Sequence, residues 1–425
     1  MILLLTTPFP ISPEQAPQAA EVRQQPRSAR QRAATDLVLR ALGGNPSPTI
    51  AQELSALGPD LIPFLLQVLT KEGVPVGADP EHPVVLKATP ELQGQVLDAL
   101  AALPREPLLQ QLRTYAASTD FAERVACMRV LGRTGTNEQM DLLASLAAPI
   151  GPTGLLPSKV RTAFQDALVR ILARDSKAFS RFVDLYGRIP QALIFSMIRA
   201  AEEQSAPRAI ELLAGLLGTR TEADPFLLAE ITRLADQSRL PTPREVCALL
   251  RRYLADADLQ RLRPAVTLAG ALEDHEAVPE LARLLEHEDA QVCRDARSAL
   301  KKIVRKDLGR LPGPWTAWYQ NESGWWRANS SSIGQDVVGS DPVKAAAAIL
   351  ELGKRRIRRD EAALMLAEGL LRPEPDLVRT CCQALGHLAS PLAVPALEKA
   401  TRHRDLEVSA AAREALAQIR RLPGS

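Results

Sequence analysis

AVPELARLLEHEDAQVCRDARSALKKI, residues 277–303, returns 116 residues later as AVPALEKATRHRDLEVSAAAREALAQI, residues 393–419. The copies agree in phase at Val278/Val394, Pro279/Pro395, Leu281/Leu397, His287/His403, Asp289/Asp405, Val292/Val408, Ala299/Ala415 and Ile303/Ile419. The same shift sets Leu268-Ala269-Gly270 opposite Ala384-Leu385-Gly386, so the duplication reaches one helix further upstream. A chain that repeats itself on this scale builds by stacking, because one unit cannot bury its own apolar face. Each slot has a physical job. Asp289 and Asp405 stand where a side-chain oxygen accepts the orphan amide hydrogens of a helix's first turn. Ala296, Ala299, Ala412 and Ala415 let helices approach, while Leu281, Leu284, Leu285, Val292, Leu300 and Ile303 fill the layer between hairpins.

Composition agrees. The chain has 425 residues, enough for two or three globular domains or for one solenoid, which has no upper size. Aromatics are only 4%, Ala and Leu dominate the apolar set, and β-branched runs of strand length are scarce. Lys+Arg 52 against Asp+Glu 50 gives a net charge of +2, with no global pull toward nucleic acid or acidic membranes. The five cysteines, Cys127, Cys247, Cys293, Cys381 and Cys382, are odd in number and lack CxxC spacing. They read as buried free thiols in slots the repeat gives to small apolar residues.

Outward from the two copies, helices alternate with turns. Ala33 opens the helical pattern and Gly43-Gly44 stops it. Leu61 to Leu69 follows Ile50, Leu54 and Leu57, and Gly73 to Pro90 reads as a loop. Ala122 to Leu131, closed by Gly132, and Val160 to Leu172 carry the second-helix pattern, and between Ala178 and Leu254 the register blurs. Residues 1–30, rich in Pro and Gln, read as a disordered leader. Met1 to Leu5 is shorter than the apolar core of a signal peptide, so the cytoplasm is expected, with export as the alternative if a signal is truncated there. No run has the length of a membrane span.

A first helix opening with Val278-Pro279, a turn ending in Asp289, and a second helix carrying Val292-Ala296-Ala299-Leu300 resembles the HEAT-like repeats of bacterial proteins. The resemblance is sharp over 258–303 and 374–419 and fair around 50–70 and 121–172. It implies an all-α fold, an α-solenoid of HEAT-like helical hairpins, with second helices lining a groove. Arg294, Arg297, Lys301 and Arg413 would then face a partner.

All four tryptophans lie in PWTAWYQNESGWW. Trp315, Trp318, Tyr319, Trp325 and Trp326 would share one helix face, unless Gly324 breaks the helix. Exposed, they make a platform for a protein or peptide; turned inward, they staple the array where the repeat is interrupted. The segment is also similar to the W-x-x-W insertion that follows such repeats. The basic run Lys354 to Arg359, with Lys301, Lys302, Arg305, Lys306 and Arg310, would suit phosphate, as in a class of DNA glycosylases with this repeat, but Glu351, Asp360 and Glu361 are interleaved. His275-Glu276 and His287-Glu288 resemble the dipeptides of di-iron deoxyhypusine hydroxylases. That family needs four on facing helices, and His403 repeats His287 without its Glu. Bilin lyases share the repeat type, with no chromophore site evident here. Two sequons, at Asn321 and Asn329, are short enough to arise by chance. No GxGxxG, P-loop, GxSxG or HExxH pattern appears.

The expectation is a leader (1–30), HEAT-like repeats (31–304), a Trp-rich insertion (305–340) and C-terminal repeats (341–425). The chain is expected to bind a protein without catalysis, cofactor or metal. The rival class is a nucleic-acid-binding or repair enzyme on the same scaffold.

Overall fold

The computed structural model describes residues 27–42, 49–70, 74–76, 84–86, 89–149, 156–237 and 243–420. The chain forms two compact units, Met1–Gln204 and Ser205–Ser425. The division falls inside the stretch where the repeat register blurs.

In the first unit, α1 (Arg27–Leu42), α2 (Ile50–Ala56), α3 (Ile62–Thr70), α4 (Pro90–Ala102), α5 (Arg105–Thr114), α6 (Phe121–Thr134), α7 (Met140–Leu146), α8 (Ser158–Arg174), α9 (Ala178–Arg188) and α10 (Ile194–Glu202) follow one another. The row α2–α4–α6–α8–α10 packs helix on next helix, and α3, α5, α7 and α9 lie beside it. Three expectations change. Helix begins at Arg27, before Ala33. Gly132 does not end a helix but lies inside α6, where a Cβ would sit 3.1 Å from the Ala167 Cα. Within the stretch read as a loop, β1 (Val74–Val76) pairs antiparallel with β2 (Val84–Leu86). The stop at Gly43-Gly44 and most of the leader lie outside the described residues.

The second unit contains α11 (Ala206–Leu216), α12 (Asp224–Gln237), α13 (Arg244–Arg251), α14 (Leu259–Ala271), α15 (Val278–Arg283), α16 (Ala290–Val304), α17 (Pro312–Asn329), α18 (Ile333–Val338), α19 (Pro342–Gly353), α20 (Arg359–Gly369), α21 (Pro375–Leu388), α22 (Val394–Ala400) and α23 (Leu406–Arg420). Its second helices stack in two runs, α12–α14–α16 and α19–α21–α23. No comparable packing joins α16 to α19; instead α17 packs on α15, and α18 on α19 and α20. Both units are thus all-α solenoids of stacked hairpins.

The duplicated slots behave alike. The Asp289 carboxylate accepts from the Gln291 and Val292 amides at 2.6 and 3.1 Å, and that of Asp405 from Glu407 and Val408 at 2.9 and 3.2 Å. His287 and His403 recur for a local reason: each Nδ1 accepts from the backbone N–H two residues on, at 3.0 and 3.1 Å. Glycine is required where second helices touch. A Cβ on Gly270 would meet the Ala299 Cα at 2.8 Å, and one on Gly386 the Ala415 Cα at 3.1 Å.

Arginines close helix ends, where carbonyls lack partners. Arg124 donates to the carbonyls of Ala148 (2.9 Å) and Ser118 (2.7 Å), and Arg372 to those of Val337 (2.9 Å) and Gly339 (2.6 Å). Cys127, Cys247, Cys381 and Cys382 are buried free thiols, and burial pushes Cys127 and Cys381 up to about 12. Cys293 departs from that expectation. It is half-buried, and its thiol donates to the His287 carbonyl at 3.1 Å. The corresponding Ser409 donates likewise to Thr401 at 2.8 Å, so this slot takes a small donor rather than a small apolar residue.

Candidate partner-binding cleft

The helix α17 starts at Pro312, whose ring suits a first turn. It runs unbroken through Gly324, so the aromatic residues do share a face, and that face is turned inward. Trp315 is fully buried and its indole N–H donates to the Gly309 carbonyl at 3.2 Å. Trp326 is buried in one cluster with Ile333, Val337, Ala345 and Ile349, and half-buried Trp318, Tyr319 and Trp325 pack against the same cluster. The Trp325 and Trp326 rings meet edge to face with centroids 5.4 Å apart. The Arg355 guanidinium lies 3.9 Å from the Trp325 ring centroid and pairs with Glu322 at 2.9 Å and Glu351 at 2.7 Å. None of the five rings is exposed.

The four expected basic contacts are not brought to these rings. Arg294, on α16, hydrogen-bonds Gln291 of its own helix. Arg297 and Lys301 share Asp307, at 2.6 and 3.4 Å, and Arg413 stands exposed on α23. The basic run is also largely engaged. Lys354 pairs with Glu351 at 2.8 Å, and Arg359 joins Arg305 on Glu273. The exposed Lys354–Glu351 pair contributes roughly 0–1 kcal/mol, whereas Arg359 and Glu273 are partly buried.

Three features that stand far apart in sequence meet at one cleft of about 210 Å³. A short 3-10 turn, His275–Ala277, supplies His275 and Glu276. Tyr319, Ser323, Trp326, Arg327 and Ser330 come from α17 and its end, and Ile357 and Arg358 from the turn before α20. Arg358 adopts the left-handed conformation (φ 55°), an uncommon one for a residue with a Cβ, at the N-cap of α20.

Charge in the cleft follows from burial. Burial lowers the His275 imidazole to about 4, with Arg358, Arg244 and Arg251 adding repulsion against the attraction of Glu276, so it is neutral at pH 7. Burial raises neighbouring Asp274 to about 6, against its pairing with Arg251 at 3.0 Å. Glu276 is exposed and held by Arg251 at 2.9 Å. Arg358 lies 3.6 Å from Glu361, which Arg244 also engages. Arg327 is exposed and, among the described residues, reaches only the Ser323 carbonyl, at 3.4 Å. The Trp326 indole N–H is buried with no acceptor among the described residues.

A larger hollow, about 430 Å³, lies in the first unit between Asp60, Phe64, Tyr115 and Glu123. Its acids are occupied. Asp60 pairs with Arg30 at 2.7 Å, Asp120 caps α6, and Glu123 accepts from Ser118 at 2.5 Å.

Of the residues expected from sequence to meet a partner, only Tyr319 and Trp326 line the smaller cleft. Ser323, Arg327 and Ser330 carried no signal beyond their place on the same helix. His275 and Glu276 stood out for a metal, and Arg358 for phosphate. No group of three or more His, Cys, Asp or Glu able to hold a metal ion occurs among the described residues. No helix among them is long and apolar enough to cross a membrane.

The comparison with curated proteins finds no match. Among solved structures the chain is similar to an engineered protein at 17% identity and TM-score 0.27, covering 95% of this chain and 98% of that one. It is similar to human deoxyhypusine hydroxylase at 13% identity and TM-score 0.19, covering 88% and 99%. A structure of Kap95p with RanGDP matches at 13% identity and TM-score 0.31, covering 96% and 58%. At such scores these likenesses carry no argument about function. Residues 337–417 match the family of HEAT repeats, so the C-terminal hairpins are HEAT-like in sequence as well as in packing.

Proposed function

We propose that the chain is a non-enzymatic scaffold that binds another protein through its solenoid surface. The observation that supports this best is the break between α16 and α19. There the second helices stop stacking, α17 is laid across instead, and a cleft remains with exposed Arg327 and Arg358 at its wall. Stacked hairpins present broad faces rather than one enclosed pocket, and such faces suit macromolecular partners. The resemblance to HEAT-like repeats points the same way. Trp315 and Trp326 act in this reading as the staple that fixes the cleft wall, not as an exposed platform.

The test is affinity capture on the immobilised full chain, followed by reconstitution with each purified captured protein. A saturable complex of fixed stoichiometry is expected. Capture of nucleic acid alone, or of nothing that reconstitutes, overturns the reading.

A further inference from the structure

We propose that the cleft between the His275 turn, α17 and Arg358 takes an acidic side chain, the carboxylate of an Asp or Glu in an extended segment of the partner protein. This deepens the scaffold reading and rests on it. The wall offers the two guanidiniums of Arg327 and Arg358, which only donate, and the hydroxyls of Tyr319, Ser323 and Ser330 beside them. Trp326 is only 2% exposed and its N–H is buried without an acceptor among the described residues, so recognition falls to the exposed groups of the wall, the two guanidiniums first.

Charge selects the class of ligand. His275 is neutral, so the wall holds two cations against one carboxylate, Glu276, which Arg251 already engages. The resulting single positive charge matches a monoanionic carboxylate better than a dianionic phosphate. Neither cation is tightly spent, because Arg358 lies 3.6 Å from a carboxylate it shares with Arg244 and Arg327, among the described residues, reaches only a carbonyl. Size agrees. About 210 Å³ admits a carboxylate and its short aliphatic stem, with the half-buried ring of Tyr319 beside it. Guanidinium pairs recognise carboxylates by charge-assisted hydrogen bonds, which are stronger than neutral ones.

The chain carries its own reporter. All four tryptophans lie between Trp315 and Trp326, so tryptophan emission, excited selectively over the tyrosines, reads this helix alone. The purified full chain is titrated with blocked hexaglutamate, with hexalysine and with inorganic phosphate. A saturable emission change with hexaglutamate is expected, absent with hexalysine and not displaced by equimolar phosphate. Arg327→Gln and Arg358→Gln each weaken it by about tenfold, the loss of roughly one charge-assisted contact. Arg413→Gln on α23 leaves it unchanged.

Binding that survives Arg327→Gln overturns the proposal; Arg327 is exposed, so this variant decides even if Arg358→Gln fails to fold. Phosphate that competes as well as the peptide overturns the carboxylate assignment, and absence of any saturable response overturns the proposal. Capture of a partner undiminished by Arg327→Gln sinks the cleft and spares the scaffold. Hexaglutamate binding by a chain that captures no protein does the reverse.

Discussion

The hairpins α15–α16 and α22–α23 repeat the same key residues in phase and do nearly the same thing, whereas α17, which lies between them, has no counterpart in either. In the hairpins every recurring residue is explained by its neighbours: the capping Asp, the His that accepts from that Asp's N–H, the Gly that meets an Ala on the next second helix. In α17 the residues are explained only by distant partners. Trp315 reaches back to Gly309, Trp326 joins the cluster that continues to Ile419, and Trp325 lies under Arg355. Repetition therefore builds the array, and its interruption builds the cleft.

The largest effect should come from α17. Trp315→Ala removes a fully buried indole and leaves a cavity, at a cost of about 3–5 kcal/mol in denaturant unfolding. Loss of well under 1 kcal/mol would mean that α17 is an ornament and not part of the core.

The hairpin side of the comparison is sharpened by its glycines. Gly270→Ala places a methyl 2.8 Å from backbone that cannot give way, and costs about 1–3 kcal/mol despite the better helix propensity of Ala. Gly386→Ala should cost less. Its nearest clash is the oxygen at the far end of the Gln418 side chain, and the backbone there is 3.1 Å away. Urea midpoints of the two variants rank them, and the reverse order would mean that the copies pack differently.

A third difference is electrostatic. Where the second copy has Ser390-Pro391, the first has Asp274-His275, and Asp274 and Ser390 each cap the following turn. Asp274 is raised from 3.8 to about 6, so the folded state holds that proton more tightly. Taken alone, its contribution is present below pH 4 and is lost as pH rises through 6. His275 is lowered from 6.5 to about 4, so its contribution is present above 6.5 and is lost as pH falls through 4. The two slopes oppose one another across pH 4 to 6 and largely cancel. His275→Gln should uncover a stability that falls from pH 4 to 6, and Asp274→Asn one that rises from pH 4 to 6.5, each on the order of 1 kcal/mol. Midpoints that do not move in opposite directions would remove the pairing.

The hairpins were legible because a repeated slot reveals its job twice. Asp289 and Asp405 as caps, and Ala299 and Ala415 as contact points, follow from phase alone. Gly132 was misread as a helix stop because a glycine that ends a helix and one that admits a neighbouring helix look identical without the neighbour. The ribbon at Val74–Val76 and Val84–Leu86 was missed because strands of three residues are too short to show alternation. The cleft was legible only in pieces. Periodicity put the rings on one face but does not say whether that face looks inward. Nor could it bring His275 and Arg358 together, because no local spacing encodes a contact across 83 residues of chain.

The smallest effect tests the claim that α17 is shaped by its partners rather than by its own helical preference. Gly324 sits mid-helix with no heavy atom within 4 Å of where a Cβ would stand, so the fold does not require a glycine there. Glycine within a helix costs backbone entropy that alanine does not. Gly324→Ala should therefore stabilise the second unit by about 0.5–1 kcal/mol, opposite in sign to Gly270→Ala at a superficially similar position. The two substitutions are chemically identical, so the sign is set by what lies across the gap: the Ala299 backbone in the stacked hairpins, open space on α17. A destabilised Gly324→Ala variant, read as a lower urea midpoint, would show that something does pack against that side of α17.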